Sequence, residues 1–137
     1  MSLTRFGISL EKDLLLKFDK LCDELKYVNR SEAIRDLIRD RLVKKEWASA
    51  GAKVTAVITL VYDHHKRQLV DNLTCLQHHH EADILASQHI HLDHINCLEV
   101  IVARGSVKDV ADLATRLRSA KGVKHGELVM TTAGRDL

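Results

Sequence analysis

A chain of 137 residues, 45% of them hydrophobic, can bury a core as one ordinary domain or as two very small ones. No run of about 18 apolar residues occurs and MSLTRFGISLEKD lacks a signal-peptide pattern, so neither membrane span nor export is indicated and a cytoplasmic protein is expected. The net charge of +2 is too small to mark a nucleic-acid binder, and all of the excess lies in residues 1–47, with eleven Lys or Arg against nine Asp or Glu.

In chain order, TRFGISL alternates, with Phe6, Ile8 and Leu10 on one face and Arg5, Gly7 and Ser9 on the other, which predicts a half-buried strand. Leu14, Phe18, Leu21, Cys22 and Leu25 then recur at helical spacing. NRSEAIRDLIRDRL repeats that spacing with Ile34, Leu37, Ile38 and Leu42, after a capping signal from Asn29 and Glu32. Small residues, ASAGA at 48–52, follow as a linker. A lone strand and two helices in fewer than fifty residues cannot satisfy a strand edge or build an adequate core. The economical solution is a dimer whose strands pair as an antiparallel ribbon, leaving Arg5, Gly7 and Ser9 of both chains exposed. A two-stranded ribbon fits the major groove of DNA.

The RxGxS strand, the leucine-rich helix and NRSEAIRD opening the next helix resemble a ribbon-helix-helix DNA-binding domain. Arg5 is the candidate for reading a base, because a guanidinium bonds a guanine edge bidentately, and Ser9 can donate or accept. Gly7 brings no side chain to the groove, whereas that central position is usually polar in the family. Asn29, Arg30 and Ser31 open the second helix, whose free amides and dipole suit a phosphate, with Arg30 or Arg35 adding a backbone contact. Residues 1–47 are thus expected to dimerise and bind double-stranded DNA.

Beyond the linker the rhythm changes. KVTAVITLVYD, ILASQHIHL, CLEVIVARG and VKHGELVMT read as strands, and KRQLVDNLTCLQ and VKDVADLATRLRSA as helices. The order βαββαβ predicts a four-stranded antiparallel sheet with two helices on one face, the ferredoxin-like arrangement shared by ACT-type domains. The whole is an α+β chain: a βαα ribbon-helix-helix domain, then an ACT-like domain over 53–137.

Eight of the nine histidines lie between His64 and His94. In the hairpin formed by SQHIHLDHINC, a turn near His94 sets position 91 opposite 97 and 89 opposite 99. His89, His91, Cys97 and Glu99 then share a face, with opposed side chains starting about 4.5–5.5 Å apart. Two imidazoles and a thiolate can converge on a metal there, with Glu99 placed to orient a histidine. Three cysteines, Cys22, Cys75 and Cys97, are an odd number without framework spacing, so reduced thiols are expected and Cys97 is free to act as a thiolate. Cys22 and Cys75 read as structural thiols. His79, His80 and His94 read as solvated or as weaker metal contacts. His and Cys suit zinc, copper, nickel and cobalt alike, and affinity alone does not choose among them.

The ribbon-helix-helix signature followed by QHHH, H-I-H and a downstream cysteine is similar to the NikR family of nickel-responsive regulators over nearly the whole chain. The resemblance implies one Ni2+ per subunit, held in a square plane by His89, His91 and Cys97 of one subunit and His78 of another, and a homotetramer built as a dimer of dimers. It also implies a second cation, potassium, at Glu32 and Asp36, and a non-enzymatic repressor of nickel-uptake genes that grips a palindromic operator when loaded. Two other readings of the donors are a metal buffer or chaperone, which would not need the N-terminal unit, and a zinc-dependent hydrolase, which would need an open metal position and a general base.

Overall fold

The computed structural model describes residues 2–135 and residue 137. The chain forms two compact units, the first ending at Arg41 and the second running over Leu42–Leu137. In the first unit, helix α1 (Lys12–Glu24) is followed by the start of helix α2 (Arg30–Trp47). α1 stops because Lys26 turns into the left-handed region at φ 63, the Lys26 amide donating to Asp23 at 3.2 Å and the Tyr27 amide to Cys22 at 3.0 Å. α2 starts where the Asn29 side-chain oxygen accepts the Glu32 amide at 2.8 Å. Asn29→Ala should therefore lower stability by about 1 kcal/mol, read as a shift in the urea midpoint at unchanged slope.

The strand expected over residues 4–10 is not formed in the single chain, where residues 2–11 carry no regular secondary structure. The physical reason is that a strand is made by hydrogen bonds to a neighbour, and the neighbour expected for this segment belongs to a second chain. Phe6, Ile8 and Leu10 accordingly stand 71%, 53% and 43% exposed. Leu14, Leu21, Leu37 and Ile38 are exposed as well, and among the described residues of this unit only Cys22 and Ala33 are buried.

In the second unit the elements follow the expected order: β1 (Lys53–Asp63), α3 (Arg67–His78), β2 (Asp83–His91), β3 (Asn96–Ser106), α4 (Val107–Ser119) and β4 (Val123–Thr131). The strands lie in the order β2-β3-β1-β4, every neighbouring pair antiparallel, which is the ferredoxin-like topology. Strict alternation along β1 turns Val54, Ala56, Ile58, Leu60 and Tyr62 inward to form the core with Leu69 and Leu73 of α3 and Val110, Leu113 and Leu117 of α4. Each Val, Leu or Ile among them contributes about 1.5–3 kcal/mol by leaving water. α4 is opened by Ser106, whose hydroxyl accepts the Asp109 amide at 3.1 Å. The chain turns from α4 into β4 through Gly122 at φ 104, where a β-carbon would also lie 2.9 Å from Leu69. Among the described residues no helix is long and apolar enough to cross a membrane.

Candidate functional site

The β2–β3 hairpin carries the donors, and its turn fixes which of them face each other. Asp93 Oδ1 accepts the amides of Ile95 at 2.8 Å and Asn96 at 2.7 Å, and its Oδ2 accepts the Asn96 side-chain amide at 3.0 Å. These bonds, those of Asn96 first, pull the Asp93 carboxyl down to about 2. A depressed carboxyl contributes its stabilisation fully above the unfolded value of about 3.9 and loses it as pH falls through the folded value. The hairpin is thereby pinned well below neutrality. With the turn set, His91 pairs with Cys97 and His89 with Glu99 across the strands. Because side chains alternate, these four residues share the face on which Tyr62 lies, opposite Cys97 on β1.

Glu99 is a buried carboxylate and is fully engaged. His89 Nε2 lies 3.0 Å from its Oε1, the Ser87 hydroxyl donates to the same oxygen at 3.4 Å, and Gln77 Nε2 donates to Oε2 at 3.4 Å. On the other side of the His89 ring, Nδ1 is 3.2 Å from the Tyr62 hydroxyl. Tyr62 is pushed up from the ordinary phenol range, first by burial and then by the neighbouring Glu99 and Cys97. Its hydroxyl thus keeps its proton and donates to His89 Nδ1, leaving Nε2–H to donate to Glu99. His89 is held in one tautomer by a carboxylate and a phenol.

His91 is arranged differently. Its ring stacks on that of His64, with centroids 4.6 Å apart and planes 4° from parallel, and His64 is tilted against His65 at 4.1 Å. His64 Nε2 is buried without a hydrogen-bond partner. The Cys97 thiol is buried, and its contact is a long one of 3.7 Å to the Leu98 carbonyl. Within one chain, His89, His91 and Cys97 share a face without closing on a common point, and among the described residues no three His, Cys, Asp or Glu side chains form a cage for an ion. The donor set itself fits a borderline-soft cation: a desolvated thiol, two imidazoles and an unsatisfied ring nitrogen beside them. His78, at the end of α3, lines a cavity of about 360 Å³ with Gln77, Ser87, His89 and Glu99 of its own chain.

In the first unit, Arg5, Gly7 and Ser9 are exposed, as are Phe6, Ile8 and Leu10, which alternate with them. Arg30 is engaged bidentately by Asp19, both contacts at 2.8 Å, and the Arg35 guanidinium is paired with Glu32. Asn29 is committed to the cap and Ser31 is exposed at the first turn of α2. Glu32 and Asp36 are not joined to each other: Glu32 faces Arg35, and Asp36 accepts the Tyr27 hydroxyl.

Tyr62, Gln77, Ser87 and His64 are absent from the sequence-based site. Tyr62 was legible in principle, because an inward position on an alternating strand places it over the hairpin. His64 and Gln77 carry no such signal, since a loop residue and a helix end reach the site only through the fold. Cys75, read as a structural thiol, is exposed, with its sulfur 3.6 Å from His79 Nδ1. That correction follows from its place on the outer side of α3.

Two family models match the chain. Residues 55–131 match the one described as NikR C terminal nickel binding domain, and residues 4–45 match Ribbon-helix-helix protein, copG family. Among curated relatives, a protein of Nitratidesulfovibrio vulgaris named "Putative nickel-responsive regulator" is 56% identical over 133 residues, covering 97% of this chain and 96% of the relative. One of the same name from Pyrococcus furiosus is 52% identical over 137 residues, covering 100% of this chain and 99% of the relative. Among solved structures, the ACT domain from GTP pyrophosphokinase of Chlorobium tepidum superposes with a TM-score of 0.48 at 18% identity, covering 56% of this chain and 99% of that one.

Proposed function

Since this chain belongs to the NikR family of nickel-responsive ribbon-helix-helix regulators, we propose that it represses nickel-uptake genes by gripping a palindromic operator when nickel-loaded. It is a nickel-responsive transcription regulator with an N-terminal DNA-binding unit and a C-terminal nickel-binding domain. We assign residues 1–47 to the first, 48–52 to a linker and 53–137 to the second. The observation that carries the reading is the hairpin register, His91 against Cys97 and His89 against Glu99, on a face with a buried thiol.

In this reading His89, His91 and Cys97 of one subunit and His78 of another hold one Ni2+ per subunit. Nickel supplies a cation with strong affinity for imidazole and thiolate together. Glu99 orients the His89 ring by accepting its Nε2–H, and His89 Nδ1 would give up its Tyr62 contact for the cation; Glu99, committed to three partners, serves as a fixed hydrogen-bond acceptor. The fourth ligand ties one subunit to another, which supports a tetramer built as a dimer of dimers. Glu32 and Asp36 hold potassium by exchanging their Arg35 and Tyr27 contacts for the cation.

The exposed apolar side chains of residues 4–10, α1 and α2 support a first unit completed by a second copy of itself, with its two strands forming the reading ribbon. Arg5, Gly7 and Ser9 then face the bases, while Asn29, Arg30, Ser31 and Arg35 meet the phosphates around the start of α2. Because metal and DNA bind the same protein, any gain in operator affinity from nickel must appear as an equal gain in nickel affinity from operator.

Selection from a duplex pool with randomised inserts, in the presence of nickel, tests this reading. Retained sequences should be palindromic, and an unenriched pool would overturn it. On a selected duplex, Arg5→Ala should cost about 1–3 kcal/mol more than on random DNA, with nickel loading unchanged. Equal weakening on both would make Arg5 a phosphate contact.

A further inference from the structure

The turn that leaves α3 contains an anchor that the ligand set does not use. His80, expected to be solvated or a weak metal contact, has a side chain only 9% exposed. Its Nδ1 accepts the Ala82 amide at 3.1 Å, so the ring proton sits on Nε2, which donates to Asp112 Oδ2 at 2.8 Å. The same carboxylate oxygen accepts Arg116 Nε at 2.8 Å, one turn further along α4. The His80 bond first and the Arg116 bond second hold the Asp112 carboxyl below the usual carboxylate range. A nine-tenths buried imidazole therefore ties the exit of α3 to α4.

On the other side, the last turn of α3 is tied to the hairpin by Gln77 and Glu99. His78 lies between these ties, one residue after Gln77 and two before His80. Its own side chain is exposed, and the helix ends without a glycine cap, its last bond running from the His79 amide to Cys75 at 3.1 Å. Helix ends fray, so an exposed imidazole on an unanchored last turn would sample many orientations. Holding the backbone on both sides lowers the entropy lost when that imidazole is captured. Both ring nitrogens of His80 are engaged in this tie, beside a cavity of about 570 Å³.

We propose that His80, Asp112 and Arg116 form a positioning network that presets the His78-bearing turn for nickel without touching the metal. The proposal rests on the reading of His78 as a nickel ligand. The test is a nickel titration of the full-length protein, monitored by the sulfur-to-nickel charge-transfer band, in wild type and in Asp112→Ala, Asp112→Asn, His80→Ala, the His80→Ala/Asp112→Ala pair and His78→Ala.

Asp112 is half-exposed, so its truncation leaves the core intact, and circular dichroism checks this for every variant. Asp112→Ala should weaken nickel binding by several-fold, less than the roughly 10–100-fold that loss of a group bonded directly to a ligand costs, with an unchanged band at saturation because every ligand remains. Asp112→Asn should recover most of the loss, since its amide oxygen still accepts from His80 Nε2. The double variant should bind no worse than His80→Ala alone, as expected for two halves of one contact. Wild-type affinity in Asp112→Ala, or a shifted band at saturation, would overturn the inference while His78→Ala still loses nickel. Should His78→Ala bind like wild type, the ligand assignment falls and takes the inference with it.

Discussion

Cys97→Ser should abolish the sulfur-to-nickel charge-transfer band and lower nickel affinity by more than the roughly 10–100-fold that loss of an outer-sphere partner costs. A hydroxyl of similar size cannot replace the soft, readily deprotonated sulfur at neutral pH. The Cys97 thiol is buried in a preformed strand, with Tyr62 and His91 as its cross-strand neighbours. The substitution therefore removes a donor while leaving the packing nearly intact. Wild type should bind one nickel per chain with the yellow, diamagnetic spectrum of a planar thiolate complex, and binding should weaken as pH falls because protons compete for imidazole and thiolate. Paramagnetic, octahedral nickel in wild type, or a surviving band in Cys97→Ser, would show that Cys97 is not a ligand.

The second large effect concerns which chain supplies His78. Its side chain lines a cavity with His89 and Glu99 of its own chain, so a local fourth ligand is a concrete rival to one from another subunit. His78→Ala and Cys97→Ala should each lose planar nickel binding. Mixed through unfolding and reassembly, the two defective proteins should recover it. One site of a mixed pair combines both defects, and the other takes His89, His91 and Cys97 from the first variant and His78 from the second. The band should return at about one nickel per mixed pair, following reassembly statistics. If wild-type chains treated identically recover nickel while the mixture does not, the ligands do not cross a subunit interface.

Much of the second unit was legible because its signals are local and redundant. KVTAVITLVYD alternates without interruption, and β1 buries every second residue from Val54 to Tyr62. The hairpin register was readable from the turn position, and period-two alternation then puts His89 and His91 on the cysteine face. What a chain does with those rings was not readable. The stacking of His91 on His64 brings β2 beside the loop after β1, and the Tyr62–His89 contact crosses from the central strand to the edge. The role of His80 was hidden for the same reason: its partner Asp112 lies 32 residues away on another helix, and three adjacent histidines look alike in sequence. The N-terminal strand shows the opposite limit. Its alternation is clear in TRFGISL, yet the ladder it implies needs a second chain.

The central claim is that nickel on the hairpin donors increases the affinity of the ribbon for DNA. It is tested most directly by fluorescence anisotropy of a labelled, nickel-selected palindromic duplex, titrated with wild type and with Cys97→Ser, each with one equivalent of nickel per chain and again with a chelator. Nickel should tighten wild-type binding strongly, by at least the roughly 5–150-fold of ordinary allosteric coupling, and leave Cys97→Ser unchanged. Equal affinity of wild type with nickel and with chelator, or an equal nickel effect in Cys97→Ser, would contradict it.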